Sequence, residues 1–197
     1  MTLLSDGIAE PEGQLGAYLR PGERLLWSGR PDPAVTLTHA DWFVIPFSIF
    51  WTGFSIAWEA SAVAEASRGT APLLALWGIP FVAIGLFMLY GRFVFKRRRK
   101  RRTAYGLTDR RALVAVGDRA LSDSPVRAVP TTVRRTRDGA HVSVSFGPGG
   151  AGATARMYAN TGMEAFARGA GADVAFYDVA DVDGLLGALQ RAAAAGD

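Results

Sequence analysis

The side chains best suited to bind a ligand form a run of seven consecutive cations, Lys96 to Arg102. Closely spaced lysines and arginines attract the phosphates of lipid headgroups and of nucleic acids. Other kinds of chemistry find few residues here. The chain has no cysteine, which excludes disulfide bonds, thiolate–zinc sites and cysteine nucleophiles. Its two histidines, His39 and His141, lie far apart in sequence, which argues against a histidine-rich metal cluster.

A loose group of acidic residues near the carboxyl end is the next candidate: Asp173, Asp178, Asp181 and Asp183. Asp181 stands where a helix N-cap is expected, and capping explains part of the group. The spacing is not that of a calcium-binding loop, and a divalent-cation site remains the alternative interpretation. His141 alternates within a predicted strand and is interpreted as an exposed strand residue. We expect a non-catalytic protein with no cofactor and no metal site.

The segment Gly147–Gly152, GPGGAG, has the glycine spacing of a dinucleotide-binding loop. Such a loop must open a helix, because the helix amides meet the pyrophosphate. The residues that follow, Ala153–Tyr158, have the pattern of a strand. We therefore interpret the glycines as a hairpin loop.

Two long stretches contain no charged residue: the 17 residues from Trp42 to Trp58 and the 23 from Gly69 to Gly91. A membrane-spanning helix needs about 20 apolar residues, with a range of about 17–25. Trp42, Trp58 and Tyr90 lie near the ends of these stretches, as in the aromatic belt of membrane proteins. Both stretches are therefore predicted to be membrane-spanning helices. Polar residues within the first stretch have no general base beside them and are expected to bond backbone carbonyls or the partner helix: Ser48, Thr52 and Ser55.

The orientation of the predicted hairpin follows from the cationic run. Lysines and arginines in short flanking segments stay on the cytoplasmic side of a membrane. The connection Glu59–Gly69 has two acidic residues and one arginine, so it is expected on the outer side as a loop. The sequence thus predicts a multi-pass protein of the inner (cell) membrane with both termini in the cytoplasm.

Short alternating segments follow the cationic run and indicate a small antiparallel β-domain. Asp138-Gly139 is a strong hairpin-turn signal. A terminal helix is predicted from Asp181, with Val182, Leu185, Leu186 and Leu189 on one face, and a capping box predicts a short helix over residues 161–167. The predicted strands are 103–107, 112–116, 126–129, 131–136, 141–146, 154–158 and 174–179.

Two short motifs give a resemblance to a known family. Tyr105–Arg111, YGLTDRR, resembles the Y-x-L-T-(D/N)-x-R segment of bacterial pleckstrin-homology-like (PH-like) membrane proteins. Pro21–Pro31, PGERLLWSGRP, resembles the P-G-E-x-x-L-W-x-G-x-P element that precedes the transmembrane hairpin of the same proteins. The resemblance implies a PH-like antiparallel β-barrel or sandwich, closed by a C-terminal helix and completed by the segment before the hairpin. Residues 147–152 and 161–171 depart from the family pattern.

The fold class expected is therefore membrane α+β. Its predicted parts are a cytoplasmic N-terminal segment (1–41), a transmembrane hairpin (42–95, with spans at about 42–58 and 70–94), a polybasic linker (96–104) and a cytoplasmic PH-like domain (105–197). We expect an interaction or assembly module at the inner leaflet. The alternative is an accessory subunit of a membrane transport or biosynthetic enzyme complex. A membrane-protein partner and a homo-oligomer are both compatible with the sequence.

The cationic run has three interpretations: a topology signal in a solvated linker, attraction to anionic lipid, and nucleic-acid binding. The last is disfavoured, because no aromatic residues are interleaved with the cations and the domain that follows is neutral. Attraction to anionic lipid is worth about 1 kcal/mol per cation near the membrane surface. The residues that this interpretation assigns to lipid contact are Lys96, Arg97, Arg98, Arg99, Lys100, Arg101, Arg102, Arg110 and Arg111.

Overall fold

The computed structural model describes residues 10–38, 41–69, 72–117, 120–127, 129–147, 160–162 and 174–194. These residues form an α+β protein with two antiparallel sheets and two long apolar helices. They fall into two compact units. The β-rich unit draws on Met1–Val35, Arg97–Arg156 and Ala167–Asp197, and the helical unit draws on Thr36–Lys96 and Met157–Phe166.

The bounds of the elements are as follows. The helices are α1 (Pro11–Gly16), α2 (Asp41–Ser67), α3 (Pro72–Leu86), α4 (Arg92–Arg101) and α5 (Val182–Ala194), and a π-helical turn, Phe87–Gly91, joins α3 to α4. The strands are β1 (Leu25–Gly29), β2 (Thr103–Thr108), β3 (Arg111–Val116), β4 (Ala120–Pro125), β5 (Thr131–Arg135), β6 (Val142–Phe146) and β7 (Val174–Val179).

The two sheets of the β-rich unit share one hydrophobic core. The first sheet has the order β1-β2-β3-β4 and the second the order β5-β6-β7, with antiparallel pairing throughout. Phe176 lies within this core, its ring centroid 4.7 Å from that of Tyr105, 5.0 Å from Phe146 and 5.9 Å from Trp27. Leu185 of α5 is fully buried in the same cluster. Of the two forms expected, the described strands adopt the sandwich and do not close into a barrel.

Strand β1 precedes the helical unit in sequence, yet it pairs with β2, which follows that unit. The register places Trp27 opposite Leu107 and Ser28 opposite Gly106. Trp27 is buried in the shared core, because an apolar patch this short cannot form a core alone. The expectation that the segment before the first apolar helix completes the β-domain is therefore confirmed.

Helix α1 covers the other face of the first sheet. Leu15 is fully buried there and packs with Ala104, Leu113 and Ala115. A Cβ atom on Gly106 would lie 2.8 Å from Cδ1 of Leu15, so the glycine makes room for the helix. As a result β2 is buried on both faces along its whole length.

Most predicted strands agree with the structure to within one or two residues. This holds for β2, β3, β5, β6 and β7, and for α5. The strand predicted at 126–129 is wrong: β4 ends at Pro125, immediately before it. The sequence of β4, ALSDSP, carries no apolar alternation, and its strand form depends on pairing with β3. Val126 and Val129 pack against the core from outside any strand, which explains the misleading apolar signal.

The helices are longer than the sequence indicates. Residues 59–69 were expected to form a loop, but α2 continues to Ser67. Residues 96–104 were expected to form a linker, but α4 continues to Arg101 and β2 begins at Thr103. Alanine, lysine and arginine are strong helix formers, so both stretches extend the helices that precede them. The strand predicted at 154–158, the glycines after Gly147 and the predicted helix beyond Gly162 lie outside the described residues.

Two helical stretches are long and apolar enough to cross a membrane, judged by length and composition. They are Asp41–Ser67, with 27 residues, and Leu76–Arg101, with 26. Within the helical unit, α2 and α3 pack closely: a Cβ atom on Gly85 would lie 2.7 Å from Oγ1 and 3.1 Å from Cα of Thr52. Small residues allow such close approach between helices.

Burial in the helical unit is the reverse of that in a water-soluble protein. Ser48 is fully buried and Thr52 nearly so, whereas Trp42 is 88% exposed, Phe50 70% and Trp77 67%. The buried hydroxyls turn back onto their own helix: Ser48 Oγ donates to the carbonyl of Val44 at 2.6 Å, and Thr52 Oγ1 to that of Ser48 at 2.6 Å. The expectation that these two side chains bond backbone carbonyls is confirmed.

Candidate functional site

Three of the nine cations assigned to lipid contact are buried inside the protein. The exposed fraction is 3% for Lys96, 5% for Lys100 and 6% for Arg111. A buried cation is costly unless it is paired and hydrogen-bonded. Each of the three has such partners, so each has a structural role that the sequence alone did not indicate.

Lys100 ties the segment after β1 to strand β7. Its Nζ donates to the carbonyls of Asp32 (2.9 Å) and Val35 (2.7 Å) and to Oδ2 of Asp178 (2.5 Å). Asp178 has a positive φ of 54°, a rare conformation for a residue other than glycine. Its amide donates to Oγ of Ser143 at 3.0 Å, which holds the residue in that conformation. All three donors of the ammonium group are thereby used within the β-rich unit.

His141 differs from the exposed residue that was expected. It is partly buried, with 17% of its side chain exposed, and its Nε2 lies 2.9 Å from Oδ2 of Asp32. The amide of Ala34 and then His141 hold the pKa of Asp32 below its usual range. The histidine thus fixes the segment that Lys100 also holds.

A second buried ion pair, in the helical unit, joins Asp41 at the start of α2 to Arg92 at the start of α4. Arg92 is fully buried, and its Nε donates to the carbonyl of Met88 at 2.7 Å. Asp41 also accepts from the hydroxyl of Thr38 at 2.8 Å, while Lys96 Nζ donates to the carbonyl of Thr36 at 2.7 Å. The sequence carries a signal that could have predicted this pair: Asp41 directly precedes the first uncharged stretch, and Arg92 directly follows the second.

Arg111 joins the two sequence motifs. Its Nε and Nη2 donate to the carboxylate of Glu23 at 2.8 and 3.0 Å, and its Nη1 donates to Asp123 at 2.8 Å. The Glu23 side chain is fully buried, and Oγ1 of Thr108 donates to it at 2.8 Å. The hydrogen bonds from Arg111 lower the pKa of Glu23 to about 2 against the opposing effect of burial, and they raise the pKa of Arg111.

The two motifs meet at one further point, between Arg24 and Asp109, and the first motif also contacts the start of α5. The amide of Arg24 donates to Oδ1 of Asp109 at 3.0 Å, and the amide of Asp109 donates to the carbonyl of Arg24 at 3.1 Å. Nε1 of Trp27 donates to Oδ2 of Asp181 at 2.8 Å, while Oδ1 of Asp181 accepts from the amide of Gly184 at 3.1 Å. Asp181 therefore caps α5, as predicted, and also anchors β1.

The remaining cations of the run are exposed and lie on α4 or directly after it: Arg97, Arg98, Arg99, Arg101 and Arg102. We refer to these five residues as the α4 arginine cluster. Basic residues in the last turn of a helix also stabilise the helix dipole. Arg110 is exposed too, but it follows the far end of β2, and six strand residues cover about 20 Å. The structure therefore does not bring Arg110 and Arg111 together with the cluster.

The acidic group near the carboxyl end does not assemble into a metal site in the part of the chain that the structure describes. No group of three or more His, Asp or Glu side chains there could hold a metal ion. Asp178 and Asp181 are engaged with Lys100 and Trp27, and Asp173 lies outside the described residues.

Comparison with protein-family models, with curated proteins and with solved structures finds no match for this chain.

The buried and exposed neighbours Arg111 and Arg110 provide a matched pair of variants. Arg111→Gln leaves the Glu23 carboxylate buried without its cation, and we expect the free energy of unfolding to fall by about 3–5 kcal/mol. Arg110→Gln removes an exposed charge and should change it by less than about 1 kcal/mol. Thermal or urea unfolding of the purified full-length protein measures both. Equal effects of the two substitutions would contradict the stabilising role of the Glu23–Arg111 ion pair, which we call the clamp.

The same clamp predicts a loss of stability in acid. The pKa of Glu23 is lowered from 4.5 to about 2 in the folded protein, so its stabilising effect is complete above pH 4.5 and is lost as the pH falls towards 2. We expect the unfolding free energy of the wild type to decline more steeply over this window than that of Glu23→Gln. Asp32 and Asp138 also have lowered pKa values, but they act in both proteins, so parallel curves would refute the assignment to Glu23.

Proposed function

We propose that this chain is a two-span inner-membrane protein whose β-rich unit is PH-like and acts, without catalysis, as an interaction or assembly module at the cytoplasmic leaflet. The observation that carries the proposal is the reversed burial of the helical unit, with hydroxyls inside and aromatic rings outside.

An apolar solvent accounts for that reversal. In water, contiguous exposed apolar surface of this kind favours aggregation or association. In hydrocarbon the same side chains are solvated, and polar groups must find partners within the protein. Ser48 and Thr52 have such partners. The 27 residues of α2 extend about 40 Å, more than the roughly 30 Å of a bilayer core.

The α4 arginine cluster supports the orientation. It follows the second apolar stretch in sequence, and basic residues at that place favour a cytoplasmic position. Lys96 and Lys100 are buried, so the exposed cations of the run are the five arginines of the cluster. Each is worth about 1 kcal/mol near an anionic surface. Since two spans already anchor the chain, this attraction serves to orient the β-rich unit and to gather anionic lipids.

The internal bonding of the motifs supports a PH-like architecture. The resemblance implies a small antiparallel β-barrel or sandwich closed by a C-terminal helix, and the described residues form a four-stranded and a three-stranded antiparallel sheet with such a helix. The motif residues Glu23 and Arg111 bind each other, as do Arg24 and Asp109, and the motif residue Trp27 donates to Asp181 at the start of α5. These contacts give a physical reason for the two motifs to occur together. They also give Arg111 a structural role inside the β-rich unit. The residues that we propose for lipid contact are therefore the five of the α4 arginine cluster.

Lipid composition around the reconstituted protein tests the proposal. In nanodiscs that contain both phosphatidylcholine and phosphatidylglycerol, we expect the wild type to enrich the anionic lipid among the lipids that co-purify with it. The triple variant Arg97→Gln, Arg98→Gln, Arg101→Gln should lose that enrichment, because it removes three exposed charges of the cluster. Mass spectrometry of the bound lipids is the measurement.

A matched control removes the same charge elsewhere. Arg134, Arg135 and Arg137 are exposed residues of the β5–β6 hairpin, and their replacement by Gln should leave the enrichment intact. An unchanged lipid composition in the first variant, or an equal loss in both, would refute the role of the cluster. A stoichiometric protein that co-purifies with the wild type from native membranes, without lipid enrichment, would favour the accessory-subunit alternative instead.

A further inference from the structure

The helical unit carries an aromatic groove that the proposed function does not use. It has a volume of about 190 Å³, smaller than the roughly 300–1,000 Å³ of sites for drug-sized ligands. Nε1 of Trp51 donates to the carbonyl of Phe81 at 3.3 Å, and the two rings are 6.2 Å apart, so α2 and α3 are held together at the groove. Its lining residues are Trp51, Phe54, Ser55, Trp58, Trp77 and Phe81.

A carboxylate lies at the edge of this groove. Glu59 is one helical turn beyond Ser55, and its Oε2 is buried with no hydrogen-bond partner among the described residues. A Cβ atom placed on Gly78 would collide with this oxygen and would lie 2.7 Å from the ring of Trp58. The oxygen and the ring therefore border the same point of α3, next to Trp77. Gly78 leaves the space that the carboxylate occupies.

The chemistry of the groove selects a cation that donates hydrogen bonds. A buried acceptor without a donor is costly, and a charged donor restores the most free energy. The faces of tryptophan rings attract cations, and three tryptophans line the groove. A primary ammonium group satisfies both demands. A quaternary ammonium group would satisfy the rings alone, because it has no N–H.

The position along α2 indicates where such a group would come from. Glu59 is 18 residues beyond Asp41, or about 27 Å along the helix. If Asp41 lies at the cytoplasmic surface, Glu59 lies close to the opposite surface of a core about 30 Å thick. Lipid headgroups lie at that depth.

We propose that Glu59 and the groove of Trp51, Trp58 and Trp77 bind the primary ammonium headgroup of an aminophospholipid in the leaflet opposite the cytoplasmic one. To bind the headgroup, the carboxylate turns from Gly78 towards the neighbouring ring of Trp58 and accepts the hydrogen bonds there, while the other rings line the groove and the acyl chains stay in the bilayer. This inference rests on the proposed membrane insertion, and it adds a second lipid site, of opposite charge preference, to the α4 arginine cluster.

Titration with two matched lipids tests the site. Full-length protein in detergent is titrated with short-chain phosphatidylethanolamine and with phosphatidylcholine of the same chain length, and tryptophan fluorescence reports binding. The expected result is at least about tenfold tighter binding of phosphatidylethanolamine, which is the effect of a hydrogen bond to a charged group. Glu59→Gln should reduce the affinity for phosphatidylethanolamine to that for phosphatidylcholine.

Two further variants keep the test decisive. Glu65→Gln removes a carboxylate of the same helix that is exposed and paired with Arg68, and it should bind like the wild type. Trp77→Leu, at an exposed position that tolerates substitution, should weaken the binding of phosphatidylethanolamine several-fold. Equal binding of the two lipids by the wild type, or an unchanged preference in Glu59→Gln, would overturn the site. Either outcome with a protein that stays in the membrane fraction would leave the proposed function standing, whereas a protein that is soluble without detergent would refute both.

Discussion

The outward-facing aromatic and aliphatic side chains of the helical unit set the condition on which the rest of this protein depends. At roughly 25 cal/mol per Å² of apolar surface, exposing rings such as Trp42, Phe50 and Trp77 is unfavourable in water, and the bilayer that we propose removes that cost. The interior of the unit is also compatible with an apolar solvent, because the hydroxyls of Ser48 and Thr52 donate to carbonyl groups of their own helix. In a bilayer the lipid chains would cover the exposed rings, so no protein partner is needed to cover them.

The second constraint is the closure of a sheet across a long insertion. The chain leaves the β-rich unit after β1 and returns with β2, and joining the ends of a long loop costs entropy that grows slowly with its length. Polar contacts between the two sides of the insertion offset that cost: the buried pair of Glu23 and Arg111, and the partly buried hydrogen bond from Trp27 to Asp181. Such contacts also set the register of β1, since a slip by one residue would turn Trp27 away from the core. The two motifs are therefore the two sides of one contact, which joins the chain before the insertion to the chain after it.

The sequence indicated most of the backbone but few of the polar contacts. Alternation identified β6, and an apolar stripe with Asp181 at its cap identified α5, because both patterns are local. Strand β4 escaped detection because its residues pair through the backbone and bury little. The burial of individual cations could not be predicted for a similar reason. Nothing in the local sequence distinguishes Lys100 from Arg99, because the partner of Lys100, Asp178, is distant in sequence and comes close only in the folded chain. Glu59 was predicted to lie in a loop because the uncharged stretch ends at Trp58. Helix α2 in fact continues for about two turns beyond that stretch, to Ser67.

The most direct test of this account is the distribution of the full-length chain between membrane pellet and supernatant after cells are broken without detergent and the membranes are washed at alkaline pH. Alkaline washing strips peripheral proteins, whereas spanning helices keep every backbone group bonded inside the lipid. The account predicts that the chain remains in the pellet and enters the supernatant only when detergent is added. Recovery of the folded chain in the alkaline supernatant would contradict it.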